Sequence, residues 1–470
     1  MARKKKFALQ QVHVERYAAE GKCVARVNDK VIFIEGAVPG DVVDIFVHKN
    51  KKDWAEARVT CLVQAATDRV VPFCQHFGTC GGCKWQMLPY PKQLQYKEEQ
   101  VIDQLRRIGQ ITAHENRPIA GCEATQLYRN KLEFTFSNKR FLTSTEINNP
   151  NITPNHPCLG FHAPGLFDKV IPIETCHLQP EPTNAIRNFL RDLALEKEYT
   201  FYDQREHTGF LRNLMIRVAT TEQVLVNMVF AEDQPEAIQC VMDALKETFP
   251  SITSLHYTIN TKFNDSLYDQ AIQLYHGTPY IEEKLEAFTF RISPKSFFQT
   301  NTRQAEVLYR MARDLAQLQG HETVYDLYCG TGSIGIFLSP KAGKIIGVET
   351  VADAVADARI NAAINGIDRA YFFAGDVIDV CNDTFFQEHG QADVVIIDPP
   401  RAGCHDKLLQ KLLQIAAPRI VYISCNPATQ ARDVKILSAE YDVLVSQPVD
   451  LFPHTHHIEN ILLLERKKTN

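Results

Sequence analysis

The chain has no apolar run of membrane-spanning length, and Arg3, Lys4, Lys5 and Lys6 near its start are not followed by the apolar stretch of a secretion signal. No membrane association is expected, and the cytoplasm is the expected compartment. Internal repeats and low-complexity tracts are also missing, which leaves ordinary globular domains. Nor is there a strong charge of one sign: a net −5 gives no global mark of a nucleic-acid binder. The basic character is local, with twelve Lys or Arg against eight Asp or Glu in residues 1–62.

What is present is length and cysteine. At 470 residues the chain exceeds a single hydrophobic core, so two or three domains are expected. Thirteen cysteines, an odd number in a reducing compartment, should be free thiols, metal ligands or nucleophiles.

The hydrophobic rhythm changes twice. Residues 1–65 read as a small β-barrel, with short β-rich runs at 23–27, 31–34, 42–47 and 57–63 around a Pro39-Gly40-Asp41 turn. Lys49, Lys51, Lys52 and Trp54 form either a solvated hairpin tip or an RNA contact. Residues 66–295 read as a mixed α+β domain, with an amphipathic helix over 91–108, strands at 131–137, 214–218 and 224–230, and helices at 184–196 and 235–248. In this domain Tyr128, Arg129, Asn130, Lys131, Arg212, Asn213 and Arg217 offer groups suited to single-stranded RNA. Residues 296–470 alternate helix and strand, the α/β pattern of a doubly wound, mostly parallel sheet.

Chemistry-bearing residues gather at the ends of those last strands. Gly330 and Gly332 follow the strand at 323–328, where glycines let a backbone approach a ligand closely. Glu349 ends the next strand, placed to accept ribose hydroxyls; Asp376 and Asp398 end the third and fourth. Cys425 follows the fifth strand, where this architecture displays reactive groups. A thiolate there could add to an electron-poor carbon and activate its neighbour. A base must then remove a proton so that the thiol can leave; Glu459 is the best candidate, with His454, His456 and His457 as rivals.

A separate cluster, Cys74, Cys80 and Cys83 among Gly78, Gly81 and Gly82, suits a metal. A zinc knuckle would want a second CxxC pair, and a radical cluster a Cx3Cx2C spacing; neither is present. Spacing leaves the fourth ligand open among Cys61, Cys122, Cys158 and Cys176.

Residues 293–301, 326–333, 398–403, 424–429 and 454–459 together resemble the RumA/TrmA family of RNA uracil-5-methyltransferases. The resemblance implies a class I S-adenosylmethionine methyltransferase fold, with Gln299, Tyr328, Ser333, Glu349, Asp376 and Asp398 at the cofactor, Cys425 as nucleophile and Glu459 as proton acceptor. Ser333 and Asp376 depart from the commonest pattern, which has Asn at both. It also implies a four-iron four-sulfur cluster on Cys74, Cys80, Cys83 and Cys176, with Cys158 as the fallback ligand and zinc as the alternative metal. Residues 8–65 resemble a TRAM domain, an RNA-binding barrel. Cluster and barrel together resemble the 23S rRNA branch of the family, and a monomer is expected. Three other functions stay open: tRNA uridine-5 methylation, base-nitrogen methylation suggested by Asp398-Pro399-Pro400, and a non-catalytic iron-sulfur RNA-binding factor.

Overall fold

The computed structural model describes residues 6–143 and 145–468, so Arg3, Lys4 and Lys5 lie outside the described residues. Three large sheets follow one another along the chain.

In the first sheet six strands run in the order Phe7–His13, Val42–Asn50, Trp54–Gln64, Lys30–Glu35, Cys23–Val27, Arg16–Tyr17. Alternate residues, among them Ile32, Ile34, Val43, Ile45 and Ala57, point into a common core. The turn at Asp41 is held by its own buried carboxylate, which accepts Val38 N at 2.7 Å and Ala66 N at 2.9 Å and meets Arg69 at 3.1 Å.

The second sheet has seven strands, with Leu211–Val218 between Lys131–Ser137 and Val224–Phe230. Helices Thr183–Glu196 and Pro235–Thr248 share its core. This position corrects one expectation. Arg212 and Arg217 are 0% and 2% exposed on a central strand, so neither is free to meet RNA. Arg212 is used up on the carbonyls of Asn260 and Asn264, each 2.8 Å away. Asn130, also buried, donates to the Gln299 carbonyl and to Thr302 Oγ1, and Tyr128 to the Pro453 carbonyl.

The third sheet orders its strands Ala370–Ala374, Lys344–Glu349, Thr323–Leu327, Val394–Ile397, Arg419–Ser424, Glu459–Arg466, Tyr441–Val449. The first five are parallel. Glu459–Arg466 inserts antiparallel to both its neighbours. Neighbouring residues such as Val324 and Tyr325 fall into separate cores on the two faces, as in a sheet covered on both sides. The span 66–295 divides between sheets, because Glu115–Asn116 adds an eighth strand beside Tyr441–Val449. Helix Tyr90–Gln104 packs on helix Pro427–Leu437. Two further elements lie where the sequence pattern predicts nothing. They are the hairpin Ile281–Leu285 with Phe288–Ile292 and the helix Thr302–Ala316, whose N-cap Asn301 accepts Gln304 N. Among the described residues no helix is long and apolar enough to cross a membrane.

Candidate active site

The cofactor cleft is built where parallel strands stop. After Thr323–Leu327 the chain turns through left-handed residues, Tyr328 (φ 66°), Gly330 (φ 52°) and Gly332 (φ 77°), into helix Ser333–Leu338. A Cβ on Gly332 would stand 3.0 Å from both Ala358 and Phe372, so glycine is required there. Glu349 braces this turn: Oε2 accepts Gly330 N at 3.2 Å and Oε1 accepts Val351 N at 2.9 Å. Asp376 caps the next short helix by accepting Ile378 N at 2.8 Å. Tyr328, Glu349 and Asp376 line one cavity of about 360 Å³.

The other expected cofactor residues do not line that cavity. Ser333 Oγ meets the buried Tyr309 hydroxyl at 3.1 Å, and Gln299 lies on the loop before Thr302–Ala316. Burial raises the Tyr309 phenol, and the Asp398, Asp326 and Glu459 charges raise it further, so this ring links the Ser333 turn to the carboxylates beyond. No local pattern marks Tyr309, since its helix was not expected. Asp326 lies beneath the turn, one oxygen accepting Gly335 N at 2.8 Å and the other unpartnered. Burial, then the Asp398 and Glu349 charges, push it up to about 7.

Cys425 stands between strand Arg419–Ser424 and helix Pro427–Leu437. Ser424 pairs with Asn460, so the antiparallel register brings Cys425 towards Glu459. Burial, followed by the Glu459 and Asp398 charges, pushes the thiol up to about 11, against the charge and hydrogen bond of Arg401. The helix N-terminus just beyond also favours a thiolate. Arg401 is pinned through its carbonyl, which accepts Asn426 Nδ2 at 3.0 Å and Thr429 Oγ1 at 3.3 Å. The Arg401-containing segment was conspicuous in the sequence, but this role was not.

Glu459, 4% exposed, is raised well above the usual carboxylate range by burial and then by Asp398, with Arg401 opposing. Burial pushes Asp398 up to about 7. The rival histidines move the other way: burial lowers His454 and His456 to about 4 and His457 to about 3. At neutral pH they are uncharged and weakly basic, which favours Glu459 for proton removal.

Cys74, Cys80, Cys83 and Cys176 line a second cavity, of about 620 Å³, together with Arg129 and Lys131. Burial raises Cys176, pushes Cys80 up to about 11 and Cys83 to about 12; neighbouring thiols add to each rise. A Cβ on Gly81 would stand 2.4 Å from Pro164, so the wrapping loop needs that glycine. Buried Arg187 lowers Cys176, a neighbour that no spacing reveals. Cys158 lies outside this cavity, its thiol 3.6 Å from the Val170 carbonyl. Cys122 donates to the Asp450 carbonyl, and Cys61 is exposed on the first sheet. Among the described residues no three His, Cys, Asp or Glu side chains are gathered as a single metal ion would need. On the first sheet Lys49 lies 4.8 Å from the Trp54 ring and 3.1 Å from Glu56, while Lys51 and Lys52 are exposed.

Residues 218–467 match the family described as tRNA (uracil-5-)-methyltransferase, and residues 3–60 match the TRAM domain. An uncharacterized RNA methyltransferase of Bacteroides thetaiotaomicron is 49% identical over 451 residues, covering 95% of this chain and 99% of that protein. Another, from Porphyromonas gingivalis, is 48% identical over 456 residues, covering 96% and 98%. Among solved structures, the Pyrococcus abyssi tRNA (uracil-54, C5)-methyltransferase in complex with S-adenosyl-L-homocysteine superposes with a TM-score of 0.74 at 26% identity, over 97% of this chain and 100% of that one.

Proposed function

This chain belongs to the tRNA (uracil-5-)-methyltransferase family, a family of RNA-modifying enzymes, and from that premise we propose that it methylates carbon 5 of a uridine in RNA through a covalent adduct on Cys425. The observation that carries the reading is the convergence of Cys425, Glu459, Asp398 and Arg401 where neighbouring strands of the third sheet end. S-adenosylmethionine, when bound, supplies an electrophilic methyl group. The cleft suits it: Glu349 and Asp376 offer carboxylates to ribose and base, Tyr328 an aromatic face, and Gly330, where a Cβ would meet nothing within 4 Å, close backbone approach.

Arg401 and the helix N-terminus stabilise the Cys425 thiolate, which bonds to uracil carbon 6 while the carbon 5–carbon 6 electron pair moves onto oxygen 4. Carbon 5 then takes the methyl group, and the departing sulfur keeps the electrons of the broken bond. Glu459 removes the carbon 5 proton, the double bond re-forms, and Cys425 leaves as thiolate. Substrate entry requires the uridine to be flipped out of its strand towards Cys425.

The cysteine cavity suits a four-iron four-sulfur cluster held by Cys74, Cys80, Cys83 and Cys176. Zinc is the alternative metal, and metal and sulfide content distinguish the two. Methyl transfer needs no electron, so the cluster's part is to hold the loops around residues 74–83 and 176. Cys176→Ser should lose bound iron, measured by iron and sulfide content, and Cys158→Ser should keep it.

The substrate carried by the resemblance is 23S rRNA. A second reading, tRNA, is favoured by the Pyrococcus abyssi enzyme, whose likeness extends over 97% of this chain and so removes the N-terminal barrel as a discriminator. Transcripts of both RNAs incubated with labelled methyl donor and digested to nucleosides separate the two. The expected product is 5-methyluridine in rRNA; label in tRNA alone selects the second reading, and methyl on a base nitrogen contradicts both.

A further inference from the structure

Glu459 is the first residue after a loop, 450–458, and pairs with Val449 where that loop closes. The position of the carboxylate therefore depends on how the loop is held. Five consecutive residues are gripped from outside. Asp450 is fully buried against Lys97 at 2.6 Å and accepts the Tyr90 hydroxyl at 2.9 Å. The Leu451 carbonyl accepts Asn301 Nδ2 at 2.8 Å, the Phe452 carbonyl accepts Lys97 Nζ at 3.1 Å, and the Pro453 carbonyl accepts Tyr128 Oη at 3.0 Å.

His454 is the hub. It sits in the left-handed region (φ 65°), a conformation that costs a side-chain-bearing residue energy unless its surroundings impose it. Its carbonyl accepts two amides, Lys84 N at 2.8 Å and Trp85 N at 3.0 Å. Its own amide donates to Gln93 Oε1 at 2.8 Å, and Phe73 packs edge-on against both His454 and His177, at 5.1 and 5.4 Å. Phe73 directly precedes Cys74, Lys84 directly follows Cys83, and His177 follows Cys176. The rim of the cysteine cavity is thus the bracket on the catalytic loop.

We infer that Phe73, Lys84, Trp85, Gln93 and Lys97 are positioning residues for Glu459, so that the cysteine cavity is mechanically coupled to proton removal at carbon 5. This rests on the covalent reading above. Loosening the bracket should leave adduct formation by Cys425 nearly intact and retard its release, because only release needs Glu459.

Removing Lys97 would strand a buried charge and risk unfolding. The test variant is therefore Phe73→Ala, at a partly exposed side chain. Rapid-quench single turnovers on unmodified RNA, read as denaturant-stable protein–RNA adduct, separate formation from release. Phe73→Ala should form the adduct within about twofold of the parent rate, release it about tenfold more slowly, and leave the RNA KM within about twofold. Phe73→Tyr should restore release, and hydrogen exchange at the Lys84 and Trp85 amides should speed up in Phe73→Ala alone. Equal slowing of both steps, a change confined to KM, or unchanged release overturns the inference. The parent enzyme on 5-fluorouridine RNA is the control. If it forms no adduct, the covalent reading falls and this inference with it; if it does, an unchanged Phe73→Ala overturns the positioning role alone.

Discussion

Two regions of this molecule use the same side chain in opposite ways. At the third sheet one thiol, Cys425, stands at a strand end between a carboxylate pair and Arg401. In the second cavity four cysteines line one space, with Arg187 beside one of them. Burial raises Cys425 at one place and Cys80, Cys83 and Cys176 at the other, so burial does not separate a nucleophile from a ligand. Partners do: a single thiol with a cation, a helix N-terminus and a general base is equipped to attack and be released, whereas several thiols lining one cavity are equipped to share a metal.

The comparison can be broken most forcefully at Cys425. Cys425→Ala should lower methyl transfer by about 10⁴-fold or more, since the route through carbon 6 is lost, while iron content and calorimetric affinity for S-adenosylmethionine stay as in the parent. Glu459→Gln should come next. Adduct release should slow by about 10³-fold, the scale of losing a general base, seen as adduct persisting on unmodified RNA. Glu349→Ala should weaken S-adenosylmethionine by about ten- to a hundredfold, as for loss of charged hydrogen bonds, without changing RNA affinity in a filter-binding assay.

The smallest effect sharpens the comparison by pH. The Cys425 thiol, at about 11, is protonated at neutral pH, so adduct formation should rise as pH rises towards that value. Arg401 lowers the thiol; Arg401→Met raises it, shrinks the thiolate fraction and should slow adduct formation about tenfold at neutral pH. Raising the pH should recover part of that loss. A variant whose deficit stays constant with pH would mean that Arg401 acts on substrate binding instead.

The strand ends of the cofactor cleft were legible because buried parallel strands are short apolar runs, and the carboxylates that follow them, Glu349, Asp376 and Asp398, stand out by contrast. The local grip on Glu459 was not. It depends on an antiparallel insertion and on Lys97 meeting Asp450 across 353 residues, which no window of sequence contains. Arg212 and Arg217 misled for a related reason: polar residues read as exposed, yet both lie on a central strand and turn inward. Gly335, third in the Gly330, Gly332, Gly335 spacing, lets the helix approach the sheet, because a Cβ there would lie 2.8 Å from Ile345.

The central claim is that Cys425 bonds to the uracil ring before the methyl group moves. RNA carrying 5-fluorouridine tests it directly, because fluorine at carbon 5 cannot leave as a proton and the cycle stops before release. Incubated with S-adenosylmethionine, the enzyme should form a denaturant-stable complex whose cross-linked peptide carries the nucleotide on Cys425, and Cys425→Ala should form none. An enzyme that methylates ordinary RNA but leaves no such complex, or one linked through another cysteine, would contradict the account.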